Sequence, residues 1–461
     1  MPPPAHASAG KTAAGSIMHG PDDRHTHDRG PLGILAGGGG VPLEIADAVT
    51  ERGRDVHMVA LMGEAQPGIT RFPHTWVNWG GIGAMLAAFH RRGCREIVIV
   101  GRVSRPNLAS LRPDLGFFTA LPVLLGMLRG GDDAILRAVV GFFERHGLAV
   151  VGAHEAAPEL LARLGQLGAA TPSIDQLQAI TVATAALAAL GPFDAAQAAV
   201  AVGPRLVAVE GADGTDAMLA RLATGSSRAR AAISGGVLVK LPKPQQERRI
   251  DLPAIGPETV RRATQVGLAG VAVRADATLI AERREAIRLA DDAGLFLVGV
   301  GEDQQTSRPA HDDEGAGADI LAGLKPLSRA KPRAAALADV ALAARVIAAL
   351  EPFWERSSAL VSRGYVLAAE GQGGAWSAVE RAGRVKPWGT RLLRSKVGVL
   401  VMTDIAGELG PDPRRIAERA KAGGLAGLAV LRAPLDEPAL VALAAAADEA
   451  GLFLLAPGKA L

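Results

Sequence analysis

The chain has 461 residues, 49% hydrophobic side chains, 3% aromatics and a formal net charge of +3. That length exceeds one ordinary core and implies roughly two to four domains, while the small net charge and scarce aromatics argue against a nucleic-acid surface. Cys94 is the sole cysteine, which excludes a disulfide framework or a thiolate metal cluster and fits a reducing cytoplasm.

Residues 1–30 are rich in Pro, Gly, Ala, Asp and His without an apolar run, so a disordered leader is expected and a secretory signal is not. From residue 31, Leu32 to Leu35 read as a short buried strand and Gly37 to Gly40 as a loop. Pro42 then sits in the first turn of a helix reaching about Arg52. A strand over Asp55–Leu61, a helix over "GGIGAMLAAFHRRG" and a strand over Arg95–Gly101 come next. This alternation predicts a Rossmann-like α/β domain over 31–165, built on a parallel sheet with right-handed crossovers. Ligands in such sheets sit beyond the carboxyl ends of the strands, where Gly37–Gly40 and "GRVSRP" fall. A dinucleotide fingerprint is incomplete, because Leu43 stands where a third glycine is required. Two readings of Gly38 and Gly39 stay open: a backbone cradle for phosphate, or a turn that needs positive φ. A helical stretch from Asp132 to His146 leads to "LAVVGAHE", read as a strand ending in His154 and Glu155. These two form either an acid–base pair or a structural strand end.

A second α/β domain is expected over 172–302. It begins with "QLQAITVATAALAALGPF", the stretch nearest to a membrane span. Its alanines, two glutamines and Gly-Pro end instead indicate a buried helix of a soluble domain. The stretch from Gly301 to about Lys331 has an acidic excess with scattered Gly and Pro, and residues 303–333 read as a linker. Residues 334–461 then repeat the second domain: "AALGPF" returns as "AALEPF", "GLAGVAV" as "GLAGLAV" and "DDAGLFLVG" as "DEAGLFLLA". The repeat keeps apolar positions and loses polar ones. Asp213, Thr215 and Asp216 face Gly373, Ala375 and Trp376, and the sixteen residues of Lys240–Ile255 shrink to the eight of Met402–Leu409. A homodimer, or a pseudo-dimer of the two copies within one chain, is therefore expected.

The contrast marks the polar residues of the first copy as functional. Lys240, Lys243, Arg248 and Arg249 beside Asp251 suit a polyanion, because cations hold phosphate oxygens while a carboxylate holds a metal or positions water. The alternative is a solvated charged loop. "VEGADGTDAM" supplies Glu210, Asp213 and Asp216, oxygen ligands suited to Mg²⁺, although Asp213 or Thr215 could equally cap the helix.

The stretches "LGILAGGGGVPLEIA", "VGRVSRPNLASLRPD", "AVEGADGTDAMLAR" and "VLVKLPKPQQERRIDLPAIGPETV", in this order over residues 30–302, resemble the LpxI type of UDP-2,3-diacylglucosamine pyrophosphatase. The resemblance implies Mg²⁺-dependent hydrolysis of the nucleotide diphosphate in lipid A synthesis, giving UMP and 2,3-diacylglucosamine 1-phosphate. It also implies a cytoplasmic enzyme that meets the inner-membrane surface through its lipid substrate. The aspartate of the Asp-Leu-Pro motif, critical in that family, is Asp251. Expected substrate contacts are Gly38, Gly39, Arg102, Ser104, Arg105, His154, Glu155, Lys240, Lys243, Gln246 and Arg248. Expected magnesium ligands are Asp251, Asp213 and Asp216. Arg102 replaces a common family asparagine, and "NWGGIGA" lacks a family lysine. Two other classes are weighed: a non-catalytic nucleotide-sugar or lipid-precursor binding protein, and a dinucleotide-dependent oxidoreductase. The intact "RRIDLP" counts against the first and the missing third glycine against the second.

Overall fold

The computed structural model describes residues 29–103, 113–118, 132–244, 246–302, 321–371, 374–382, 398–403, 414–432 and 437–457. Three α/β units follow one another. In the first, β1 (Leu32–Ala36), β2 (Val56–Leu61), β3 (His74–Val77), β4 (Glu96–Val100) and β5 (Ala149–Val150) form a wholly parallel sheet ordered β3-β2-β1-β4-β5. β1 is buried along its whole length, which explains its unbroken apolar run. The helices α1 (Val41–Glu51), α2 (Ile82–Arg91) and α3 (Asp132–Arg145) connect these strands. The order in which strands are added reverses between β1 and β4, which stay parallel, and their carboxyl ends nearly touch. A Cβ on Gly37 would lie 2.5 Å from the Arg102 carbonyl oxygen, and one on Gly101 2.7 Å from the Gly37 carbonyl carbon. Glycine at both positions is therefore what lets the two strand ends approach so closely.

One expectation is corrected here. The strand read as ending in His154 and Glu155 stops at Val150, and a short helix α4 (Ala153–Ala156) carries both residues. Gly152 turns the chain, and its amide donates to Glu155 Oε1 at 3.4 Å.

The second unit contains β6 (Gly165–Gln166), α5 (Ile174–Leu190), β7 (Ala198–Val202), β8 (Arg205–Val209), α6 (Thr215–Ala223), α7 (Ser227–Ala231), β9 (Val237–Lys240), β10 (Ala254–Ile255), α8 (Pro257–Val266), β11 (Gly270–Arg274), β12 (Leu279–Ile280), α9 (Arg283–Asp292) and β13 (Phe296–Val300). Its sheet runs β6-β13-β11-β9-β7-β8 and is mixed: β9, β11 and β13 are parallel, while β6, and β7 against its two neighbours, are antiparallel. β7 escapes sequence reading because "AAVAV" is short, apolar and alanine-rich, so periodicity cannot separate it from a buried helix.

The third unit repeats this order with β14 (Leu324–Pro326), α10 (Ala334–Leu350), β15 (Ser358–Ser362), β16 (Tyr365–Glu370), α11 (Ala375–Ala382), β17 (Val399–Met402), α12 (Arg414–Ala422), β18 (Gly427–Val430), α13 (Glu437–Ala450) and β19 (Phe453–Pro457), giving β14-β19-β18-β17-β15-β16. Even irregularities coincide. The β7–β8 hairpin shifts register between Val200 and Ala201, and the β15–β16 hairpin between Leu360 and Val361. Gly270 seats the Phe296 ring where Gly427 seats that of Phe453. The repeat starts earlier than residue 334, because β14 leaves the expected linker to pair with β19, as β6 pairs with β13.

The two copies share one core. Ala179, Ala183 and Leu187 of α5 cluster with Val340, Ala343 and Ile347 of α10. By length and composition alone, Ile174–Phe193 could cross a membrane; in this fold its buried face packs in that core. Trp354 Nε1 donates to the Leu206 carbonyl at 3.0 Å, and the Arg345 guanidinium lies 5.3 Å from the Phe193 ring centroid.

Candidate active site

The loop from Leu241 to Pro253 leaves β9 of the second unit and wedges against the first. Ile250 packs on the core formed by Val59, Phe89 and Ile97, and Leu252 on that of Ile34, Ile45 and Met58. These two side chains flank Asp251, so the alternation Ile-Asp-Leu anchors the loop on either side of the carboxylate. Gln246 orients that carboxylate: its Nε2 donates to Asp251 Oδ2 at 2.5 Å while its Oε1 accepts the Lys243 amide at 3.0 Å.

Lys240 closes β9 and is largely withdrawn from solvent, with Nζ donating to the Ala254 carbonyl at 3.1 Å. Burial pushes its ammonium below the usual lysine range; Glu210, Asp216 and Asp251 pull it back up, and Arg102 adds to the depression. Those influences define a cluster of opposite charges drawn from two units. Arg102, at the end of β4, lies 3.8 Å from Asp216 in the first turn of α6, and Arg262 of α8 lies 3.7 Å from the same carboxylate. Arg102 is also tied to the glycine loop, its amide donating to the Gly38 carbonyl at 2.8 Å. Gly39 adopts φ +92° with open space around it, a conformation that favours glycine.

Most of the remaining expected residues are engaged by neighbours, Arg248 among them, its Nη2 donating to the Asp276 carbonyl at 3.3 Å. Arg248 lies within electrostatic reach of His154, whose imidazole is depressed first by burial and then by Arg248, against the opposing pull of Glu155. His154 Nε2 sits 3.5 Å from Glu155 Oε1. Lys243 binds the carbonyl and carboxylate of Asp194, each at 3.0 Å, and so pins the loop to the end of α5. Arg249 forks onto Glu247 and reaches Glu144 of α3 at 2.9 Å, clamping the loop to the first unit. Glu210 is buried, accepting from Thr215 Oγ1 at 2.7 Å and the Gln197 amide at 3.0 Å. Both oxygens of Asp213 are engaged by guanidinium groups: Arg221 at 2.7 Å and Arg381 at 2.8 Å. Ser104 and Arg105 lie outside the described residues.

Among the described residues no three His, Cys, Asp or Glu side chains converge as a ready-made metal centre. The donor set nevertheless fits magnesium in its usual nucleotide form, where one or two carboxylates share the ion with substrate phosphates. Sequence reasoning missed Arg262 and Glu44. The Glu44 carboxylate accepts the Glu282 amide at 2.7 Å and joins α1 to the start of α9. Nothing in the local sequence signals either contact, because each crosses between elements distant in the chain.

Comparison with known proteins bears on the same two units. Residues 31–160 match the LpxI N-terminal domain and residues 163–298 the LpxI C-terminal domain. The UDP-2,3-diacylglucosamine pyrophosphatase LpxI of Caulobacter vibrioides is 40% identical over 271 residues, which cover 58% of this chain and 97% of that protein. The third unit lies beyond both domain matches. With a full-length relative at this identity and both domains matched in order, the chain belongs to the LpxI family.

Proposed function

We propose that UDP-2,3-diacylglucosamine is hydrolysed in the cleft between the first two units, with Asp251 as the catalytic carboxylate and Lys240 as the cation that receives the diphosphate. The observation that carries this reading is the mounting of Asp251. Ile250 and Leu252, both half-buried, pack against the first unit, and Gln246 holds the carboxylate from the second. Water adds to one phosphorus of the anhydride, the bond from that phosphorus to the bridging oxygen breaks, and UMP and 2,3-diacylglucosamine 1-phosphate leave. Asp251 orients the water and takes its proton as the new bond forms. Lys240, held in a poorly solvated position, stabilises charge gathering on the phosphate oxygens more strongly than a solvated lysine could. Arg102 and Arg248 extend the cationic lining, and the amides of Gly38 and Gly39 supply donors at the mouth of α1.

Asp251 and Asp216 are the residues that would hold a magnesium ion. Bound there, the ion would neutralise diphosphate charge and polarise the phosphoryl group under attack. The acyl chains of the substrate would bring the enzyme to the inner face of a membrane.

The test is release of UMP from UDP-2,3-diacylglucosamine by the purified chain with Mg²⁺. Asp251→Asn should lower kcat by about a hundredfold or more, the scale of losing a positioned acid–base or electrostatic group, while substrate binding persists. Wild-type turnover in that variant would remove Asp251 from the mechanism. Tight binding without UMP release by the unaltered chain would favour a non-catalytic binding protein.

A further inference from the structure

The loop joining β8 to α6 is completed by the third unit. The Ala212 amide donates to the Leu367 carbonyl of β16 at 2.9 Å. Arg381 of α11 reaches across with Nη2 on Asp213 Oδ1 at 2.8 Å and Nη1 on Glu370. Arg221 of α6 holds the other Asp213 oxygen at 2.7 Å and lies 3.9 Å from Glu370. Two guanidiniums and two carboxylates thus balance in a withdrawn cluster, where the Arg381 side chain is only 6% exposed. Gly211 provides the room. A Cβ there would overlap Arg381 Nη2 and lie 2.8 Å from the Leu367 carbonyl oxygen. Three residues after Asp213, Asp216 projects from the first turn of α6 toward Arg102 and Arg262.

The pairing follows a pattern. Arg221 and Arg381 occupy the same position in the two copies, as do Glu210 and Glu370. α5 packs on its equivalent α10, and β8 lies beside its equivalent β16. Equivalent elements meeting each other is the signature of a two-fold interface, so Arg381 stands where the Arg221 of a second copy would stand.

We propose that the third unit is a fused second subunit, and that its Arg381 is a positioning residue for the nucleotide-sugar site, fixing the Gly211–Asp216 loop from outside the catalytic domain. The proposal rests on the cleft reading given above. Arg381 does not touch the substrate. It holds Asp213, and Asp213 sets where Asp216 enters the cleft.

Steady-state kinetics and thermal unfolding on the full chain test this, using Arg381→Ala, Arg381→Lys, Asp213→Ala and the double variant Arg381→Ala/Asp213→Ala. Asp339→Asn is the control, because Asp339 secures the Arg363 and Gly364 amides within the third unit, away from the loop. Arg381→Ala should lower kcat/KM by about tenfold to a hundredfold, the usual effect of displacing a substrate-binding group by an ångström. Arg381→Lys should recover part of the loss, and the double variant should be no worse than the more damaging single one. Asp339→Asn should lower the unfolding temperature and leave kcat/KM unchanged. If Arg381→Ala does not fold, Arg381→Lys and Gly211→Ala replace it, the latter by crowding the guanidinium away. Wild-type kcat/KM in the Arg381 variants, or a loss matched by Asp339→Asn at equal unfolding temperature, overturns the proposal. If those variants are normal while Asp251→Asn is dead, the cleft reading stands and this proposal alone falls; an inactive unaltered chain defeats both.

Discussion

The second and third units agree in strand order, in the bulge of their hairpins and in the glycine that seats a phenylalanine, yet the carboxyl ends of their sheets differ. β9 ends in Lys240, whose counterpart in β17 is the fully buried Met402. Arg262 pairs with Asp216, whereas the equivalent Arg419 stacks 4.5 Å from the ring centroid of Trp376, the residue that replaces Asp216. A carboxylate that can meet a ligand has become an indole that only packs. Core positions persist because any change in buried volume disturbs a close-packed interior. Polar positions divide: Glu210/Glu370 and Arg221/Arg381 persist beside the seam between the copies, whereas Asp216 and Lys240 become Trp376 and Met402.

Cutting the chain after Glu302 should have the largest effect. That removes the partner of α5 and bares the apolar face built on Ala179, Ala183 and Leu187. The shortened protein should dimerise or aggregate in light scattering, and a soluble, fully active monomer would separate the third unit from both fold and catalysis.

Lys240→Met sharpens the comparison by placing the third unit's residue in the second. It should lower kcat/KM by roughly tenfold to a hundredfold, the order associated with losing one charge-stabilising group, with little loss of stability. Proton linkage adds a signature. Folding depresses the Lys240 pKa, so the unfolded chain holds that proton more tightly. The Lys240 contribution to stability therefore rises with pH between the depressed and the ordinary lysine value. Activity that needs the ammonium should fall across that same window, and Lys240→Arg, which stays charged, should lose that alkaline limb. An unshifted limb in the arginine variant would assign it to another group. The smallest effect is expected from Trp354→Phe, which deletes the hydrogen bond to Leu206 across the copies. A loss of about 1 kcal/mol in denaturant unfolding, with kcat/KM unchanged, is the expected outcome.

The repeat and the alternating first domain were legible because they lie in contiguous stretches with strong patterns. The basic loop was legible only as a whole. Sequence shows six charges together, but not that Lys243 turns to Asp194 or that Arg249 clamps Glu247 and Glu144. Those partners lie far away in the chain, or depend on rotamers that the loop itself dictates. Gln246, expected at the substrate, instead donates to the Asp251 carboxylate, a contact that its place five residues before the aspartate does not announce. β7 and β14 went unread because one is alanine-rich and the other is a three-residue edge strand within a Gly- and Pro-rich passage.

The contact between equivalent helices α5 and α10 has a genetic consequence. In a dimer of identical chains, each coding change near the axis is made twice, so neither side can specialise without altering the other. Encoding both halves in one reading frame removes that coupling. Position 213 can keep an aspartate for Arg381 to grip while its counterpart, position 373, is free to become glycine. The tether also makes the pairing intramolecular, so the asymmetric partnership should survive dilution to levels at which two separate chains would part.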